Sequence, residues 1–147
     1  MTDDDNSSPA GTALFFDFDR TLVDIAATPD AVLVSAELRD ALARLRDRLD
    51  GAVAAEILPV GYHKGGAIDV LMDLPPFAGR TPIVFGDDVT GEDAFRIVDA
   101  RGGYSVKVGP EQSAATFRLP HARNVRALAM QWAEELPADI LRALKQL

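Results

Sequence analysis

A chain of 147 residues with a formal net charge of −8 is long enough for one domain with a substantial core. Its acidity argues against nucleic acid or an anionic membrane as a partner, because phosphate-rich surfaces need a basic face. The absence of cysteine excludes disulfides and thiol chemistry, and no apolar stretch approaches the ~20 residues of a membrane helix.

Met1 to Gly11 is acidic and rich in Ser and Asn, with neither the basic nor the apolar part of a signal peptide. It reads as a disordered tail over residues 1–11, and the default address is cytoplasmic. Residues 12–147 form the expected single domain. It opens on Ala13-Leu14-Phe15-Phe16-Asp17-Phe18-Asp19, an apolar run that breaks off in two carboxylates. The run predicts a buried strand. In extended chain, positions i and i+2 share a face, so Asp17 and Asp19 would sit together where the strand leaves the sheet. Like charges that close repel unless a cation lies between them or one stays protonated. The carboxyl end of a parallel strand is also where open α/β sheets bind ligands. An acidic strand-to-loop turn is the plainer reading of the same residues.

A proline-punctuated loop follows, then Ser35 as N-cap of a helix to Leu49. Leu38, Leu42, Leu45 and Leu49 recur at the helical period and make its buried stripe. Asp50-Gly51 ends the helix, and Ala52 to Leu58 is the second strand. Beyond Gly65-Gly66 a short helix buries Ala67, Ile68, Leu71 and Met72, and a Pro/Gly loop spans Leu74 to Thr81. Pro82-Ile83-Val84-Phe85-Gly86 is a third buried strand, and it too ends in acids, Asp87 and Asp88. Thr90 caps a helix over Glu92 to Ala100 that buries Phe95, Ile97 and Val98. Gly102-Gly103 then turns into a strand at Tyr104 to Val108, and Ala115 to Leu119 is a short fifth. The C-terminal part is helical, with Val125, Leu128, Trp132 and Leu136 as one stripe, a stop at Pro137, and Ile140, Leu141, Leu144 and Leu147 as a second. This alternation predicts an α/β fold, a three-layer Rossmann-like parallel sheet with helices on both faces.

If the strands ending at Asp17 and Asp87 are neighbours, their carboxyls meet at one edge of the sheet. Carboxylates with water filling the remaining positions are what Mg²⁺ prefers. One aspartate could then attack phosphorus, and Lys64, flanked by His63 and Gly65, could reach the same edge. His63 and His121 read as solvated residues rather than catalytic ones.

The motifs Asp17-Phe18-Asp19-Arg20-Thr21, Lys64 and Gly86-Asp87-Asp88 resemble, in order, signatures of the haloacid dehalogenase superfamily of phosphatases. Leu58-Pro59-Val60-Gly61-Tyr62-His63-Lys64-Gly65, Phe77-Ala78-Gly79-Arg80 and Phe85-Gly86-Asp87-Asp88-Val89-Thr90-Gly91-Glu92-Asp93 are similar to segments of trehalose-6-phosphate phosphatases. The resemblance implies a Mg²⁺-dependent phosphomonoester hydrolase acting on a small sugar phosphate, trehalose 6-phosphate. It implies Asp17 as nucleophile and metal ligand, with Asp19 as general acid/base and a carbonyl ligand. Lys64 would be the cationic clamp, and Asp87 and Asp88 would serve the metal. Thr21, Arg20 and Glu56 would order the turn or contact the substrate.

The chain departs from the family in three places. Arg20 stands where the family usually has Gly, and Gly91 where it tends to have Asp. Between Leu49 and Lys64 there is no Ser or Thr to supply the second signature's hydroxyl. In the family a helix, an edge strand and a sugar-binding cap separate the pieces that here run together, which puts a deletion junction near residues 54–56. Loss of that hydroxyl is expected to weaken phosphate positioning by ~1.5–3 kcal/mol. An absent cap would leave the site open, so a broad-specificity uncapped phosphatase and a catalytically silent core fragment stand as alternatives. The edge strand beside the junction is an expected self-association surface.

Overall fold

A computed structural model of the chain describes residues 11–17, 36–55, 64–87 and 91–147. Among these residues five strands make one all-parallel sheet in the order β2-β1-β3-β4-β5. They are β1 (Thr12–Phe16), β2 (Val53–Ala55), β3 (Thr81–Gly86), β4 (Tyr104–Val108) and β5 (Phe117–Leu119). The helices are α1 (Ala36–Arg48), α2 (Lys64–Leu71), α3 (Gly91–Ala100), α4 (Ala122–Glu134) and α5 (Ile140–Leu144). α1 packs on α4, and α2 on α3. The expected α/β fold is therefore the one found. Among the described residues no helix is long and apolar enough to cross a membrane.

β1 is buried along its whole length. That is why it reads as an unbroken apolar run instead of an alternating one, since both faces of a central parallel strand are covered. Phe16 is the register partner of Phe85 on β3, and their rings stack at 4.8 Å and 13°. Phe15 stacks on Phe77, from the loop after α2, at 5.2 Å. Full burial of each such side chain contributes roughly 1.5–3 kcal/mol. The Phe16–Phe85 stack lies directly below the carboxyl tips of the two strands, while Phe15, the chain neighbour of Phe16, faces the other side of the sheet.

Two helix ends show how local sequence stops each element. At the end of α1, Gly51 N donates to Arg46 O (2.7 Å) and Asp50 N to Asp47 O (3.3 Å), with Asp50 at φ 54°. The left-handed residue lets the chain close the last carbonyls on itself, and Asp tolerates that conformation better than most residues. α3 ends the same way, Gly103 N to Val98 O and Gly102 N to Asp99 O, with Gly102 at φ 76°.

The helical stripes are narrower than the period suggests. Leu38, Leu45 and Leu49 are buried but Leu42 only half so. Ala94 replaces Ile97 in the buried set of α3, and Ala129 and Ala133 join Val125 and Trp132 in α4, leaving Leu128 and Leu136 half-exposed. Leu147 is 44% exposed, beyond the last turn that Ile140 and Leu144 anchor. β5 is shorter than expected, starting at Phe117, and β2 is described only to Ala55. The tail over residues 1–10, Ser35 and Thr90 fall outside the described residues.

Gly103 sits where a side chain has no room, for reasons unrelated to φ. A Cβ there would lie 2.1 Å from the Pro82 carbonyl oxygen and 2.8 Å from Val98 Cγ1. Because the obstacle includes backbone of β3, Gly103→Ala must push β4 away from its neighbour. We expect a loss of at least ~1–3 kcal/mol in urea unfolding; a loss below about 0.5 kcal/mol, the scale of a neutral surface change, would contradict this packing.

Candidate active site

The carboxyl edge of the sheet is built from β1 and β3, which pair in register from Thr12↔Thr81 to Phe16↔Phe85. The ladder runs one bond further, with Asp17 N donating to Phe85 O at 2.9 Å. Asp17 thus lies beside Gly86, and Asp87 is one residue, ~3.3 Å, further along the neighbouring strand. The two acids expected to meet do share one edge. Asp17 is half-buried, while Asp87 is only 9% exposed.

Lys64 is the first residue of α2. That helix connects β2, whose Ala55 is level with Phe16, to β3, whose Thr81 is level with Thr12. Its last turn lies near the amino edge, because Arg101, just before β4, donates from Nε to Asp69 Oδ1 at 2.7 Å and pairs with Asp73 at 3.4 Å. The hydrogen bond from Arg101 to Asp69, ahead of the charges around it, raises the guanidinium's pKa. Eight residues of helix rise ~12 Å, which brings the backbone of Lys64 back towards the carboxyl edge. The Lys64 side chain is outside the described set, as are Asp19, Arg20, Thr21, Glu56, His63 and Asp88. His121 is exposed at the start of α4, where its N–H donates to Asn124 Oδ1 at 3.0 Å, so it caps a helix far from the acids in sequence and role.

Two neighbouring carboxylates are hard oxygen donors of the kind Mg²⁺ takes, and the rest of its shell is usually water. Among the described residues no group of three or more His, Cys, Asp or Glu is assembled around a cation position.

One member of this edge was not singled out from sequence. Lys107, on β4, is 3% exposed, and its Nζ donates to the backbone carbonyl of Asp87. It also pairs with Glu111 at 3.4 Å. The signal was available: β4 is covered on both faces, so a lysine in its middle must be buried with a partner. The Glu111 carboxyl is held below its usual range, first by its own backbone N–H and then by Lys107 and Arg118.

The described sheet is parallel and covered on both faces, with acids at the tips of two adjacent strands. Solved structures agree on the fold. One crystal form of the Aspergillus fumigatus trehalose-6-phosphate phosphatase superposes with a TM-score of 0.63 at 14% identity, covering 86% of this chain and 94% of that one. The C-terminal domain of the Candida albicans enzyme gives 0.57 at 14% identity, covering 85% and 92%. In sequence, the chain is 46% identical over 69 residues to the trehalose-6-phosphate phosphatase of Escherichia coli, covering 47% of this chain and 26% of that protein. It is 41% identical over 80 residues to a probable trehalose-phosphate phosphatase of Sinorhizobium fredii, covering 53% and 30%. No protein-family model matches the chain. Part of the chain is thus similar to trehalose-phosphate phosphatases, as its motifs led us to expect, and it spans about a quarter to a third of the length of these curated proteins.

Proposed function

We propose that the chain is the core of a Mg²⁺-dependent phosphomonoester hydrolase whose substrate is trehalose 6-phosphate, working in the cytoplasm. The observation that carries the reading is the placement of Asp17 and Asp87 on adjacent strand tips, in a chain related to trehalose-phosphate phosphatases. Asp17, half-buried on a rigid strand, is the nucleophile. Its carboxylate oxygen bonds to phosphorus as the bond from phosphorus to the sugar oxygen breaks, giving an aspartyl phosphate. Asp19 gives its proton to the leaving oxygen, then takes one from the water that attacks the acyl phosphate and frees Asp17. Lys64 is the cationic clamp that holds the phosphoryl oxygens. Thr21 and Arg20 order the turn around the phosphate, and Glu56 reaches the sugar. Asp17, Asp87 and Asp88, with the Asp19 carbonyl, hold Mg²⁺, which when bound neutralises charge on the phosphoryl group.

Residues 56–63 alone separate β2 from α2, far too few for a second domain. We take this as the site of the missing cap, and it sets the expected selectivity. Purified protein with Mg²⁺ should release phosphate from trehalose 6-phosphate faster than from glucose 6-phosphate, and Asp17→Asn should abolish both. Equal rates on both sugars and on bulky phosphoesters would favour the uncapped broad-specificity reading. A folded chain that releases no more phosphate than Asp17→Asn would overturn the enzyme reading in favour of a silent core.

The described sheet ends at β2, which pairs only with β1 and leaves Ala55 exposed. An uncovered strand edge is a template for another chain, and we propose that two copies associate there. Sedimentation should show a dimer that Ala55→Lys dissociates; a monomer at every concentration would contradict this.

A further inference from the structure

Burying an ammonium group costs several kcal/mol unless its partners repay the loss of water, and an apolar residue of similar size often packs more stably. Lys107 is such a group, 3% exposed in the middle of a sheet strand. Its register partner on β3 is Gly86. With no side chain at that position, the lysine stem runs past the end of β3 and its Nζ donates to the carbonyl of Asp87. Ser105, two residues earlier and so on the same face, bonds to Asp99 of α3, which places the lysine on the side of the sheet that α3 covers.

The chain after β4 completes the arrangement. Gly109 has φ +111°, and a Cβ there would lie 2.9 Å from Glu111 Oε1. Its bare backbone lets Glu111 fold back over the strand end, within 3.4 Å of Lys107 Nζ. Arg118 on β5 donates to the Gly109 carbonyl and holds that turn. A buried cation, an exposed acid returned to it and a glycine that makes room all converge on one peptide group. That peptide carries the carboxylate of Asp87.

We infer that Lys107 is a positioning residue: by holding the Asp87 carbonyl it fixes the tip of β3, and so fixes Asp87 at the edge it shares with Asp17. This role rests on the reading of those acids as a divalent-cation site, but the pin itself does not. The two can be separated because simple electrostatics predicts the opposite sign. A nearby positive charge repels Mg²⁺, so removing it should tighten binding unless the lysine's main effect is geometric.

The test compares the unchanged chain with Lys107→Met and Lys107→Arg, each first shown to melt cooperatively. If the methionine variant does not fold, Lys107→Gln takes its place. In EDTA, hydrogen exchange in the peptide spanning residues 85–90 should quicken at least tenfold in Lys107→Met while that of β1 stays unchanged. By titration calorimetry, Mg²⁺ binding should weaken about tenfold, and Lys107→Arg should restore both. Unchanged local exchange, quickening spread evenly over the sheet, or Mg²⁺ binding as tight as before or tighter would overturn the inference. Locally faster exchange in a chain that binds no Mg²⁺ even with Lys107 intact would uphold the pin and refute the phosphatase reading instead.

Discussion

The pairing of β1 with β3 is the constraint on which the rest depends. Side chains alternate along a strand, so slipping this pair by one residue would send each apolar residue to the wrong face and each acid to the wrong side. The register is held by the Phe16–Phe85 stack, by burial of every β1 residue, and by the bond from Asp17 N to Phe85 O. Aromatic packing and acid placement are thus one property of the pair. Phe16 is adjacent in the chain to Asp17, and Phe85 lies two residues before Asp87. A site on such rigid elements is placed more finely than one on loops.

Charge at this edge is arranged in depth. The acids lie at the strand tips, and a buried lysine sits one strand away, behind Asp87. The lysine meets the backbone oxygen of Asp87 and the carboxylate of Glu111. The α2–α3 layer is tied by Arg101 to Asp69 and Asp73 at the opposite end, so the edge that would admit ligand does not depend on that bridge. On the other face Arg48 donates to the Ala133 carbonyl and Arg44 pairs with Glu134, fastening α1 to α4.

Much of this was legible in the sequence because it is local or follows from topology. Apolar runs ending in acids gave β1 and β3, and Asp50-Gly51 and Gly102-Gly103 gave the helix ends. Convergence of Asp17 and Asp87 needed only one further step, that parallel strands bring their carboxyl ends to a single edge. What was not legible is set by packing across the chain. A helical period finds the centre of a buried face but not its width, so Leu42, Ile97 and Leu128 lie shallower than the period suggests, while Ala94 and Ala129, too small to mark a stripe, are buried. The part played by Lys107 depends on Gly86 and Glu111, which no short motif links. The family likeness came from strings of residues, several of which, including Asp19, Thr21 and Asp88, lie outside the described part of the structure.

The central claim is that one cation is shared between the tips of β1 and β3. Mn²⁺, which replaces Mg²⁺ and broadens nuclear resonances more strongly the nearer they lie, tests it most directly. Substoichiometric Mn²⁺ should broaden the signals of Phe16, Asp17, Gly86 and Asp87 while leaving Thr12 and Thr81, at the amino edge of the same two strands, sharp. Broadening centred anywhere else, or none at all in the folded chain, would contradict it.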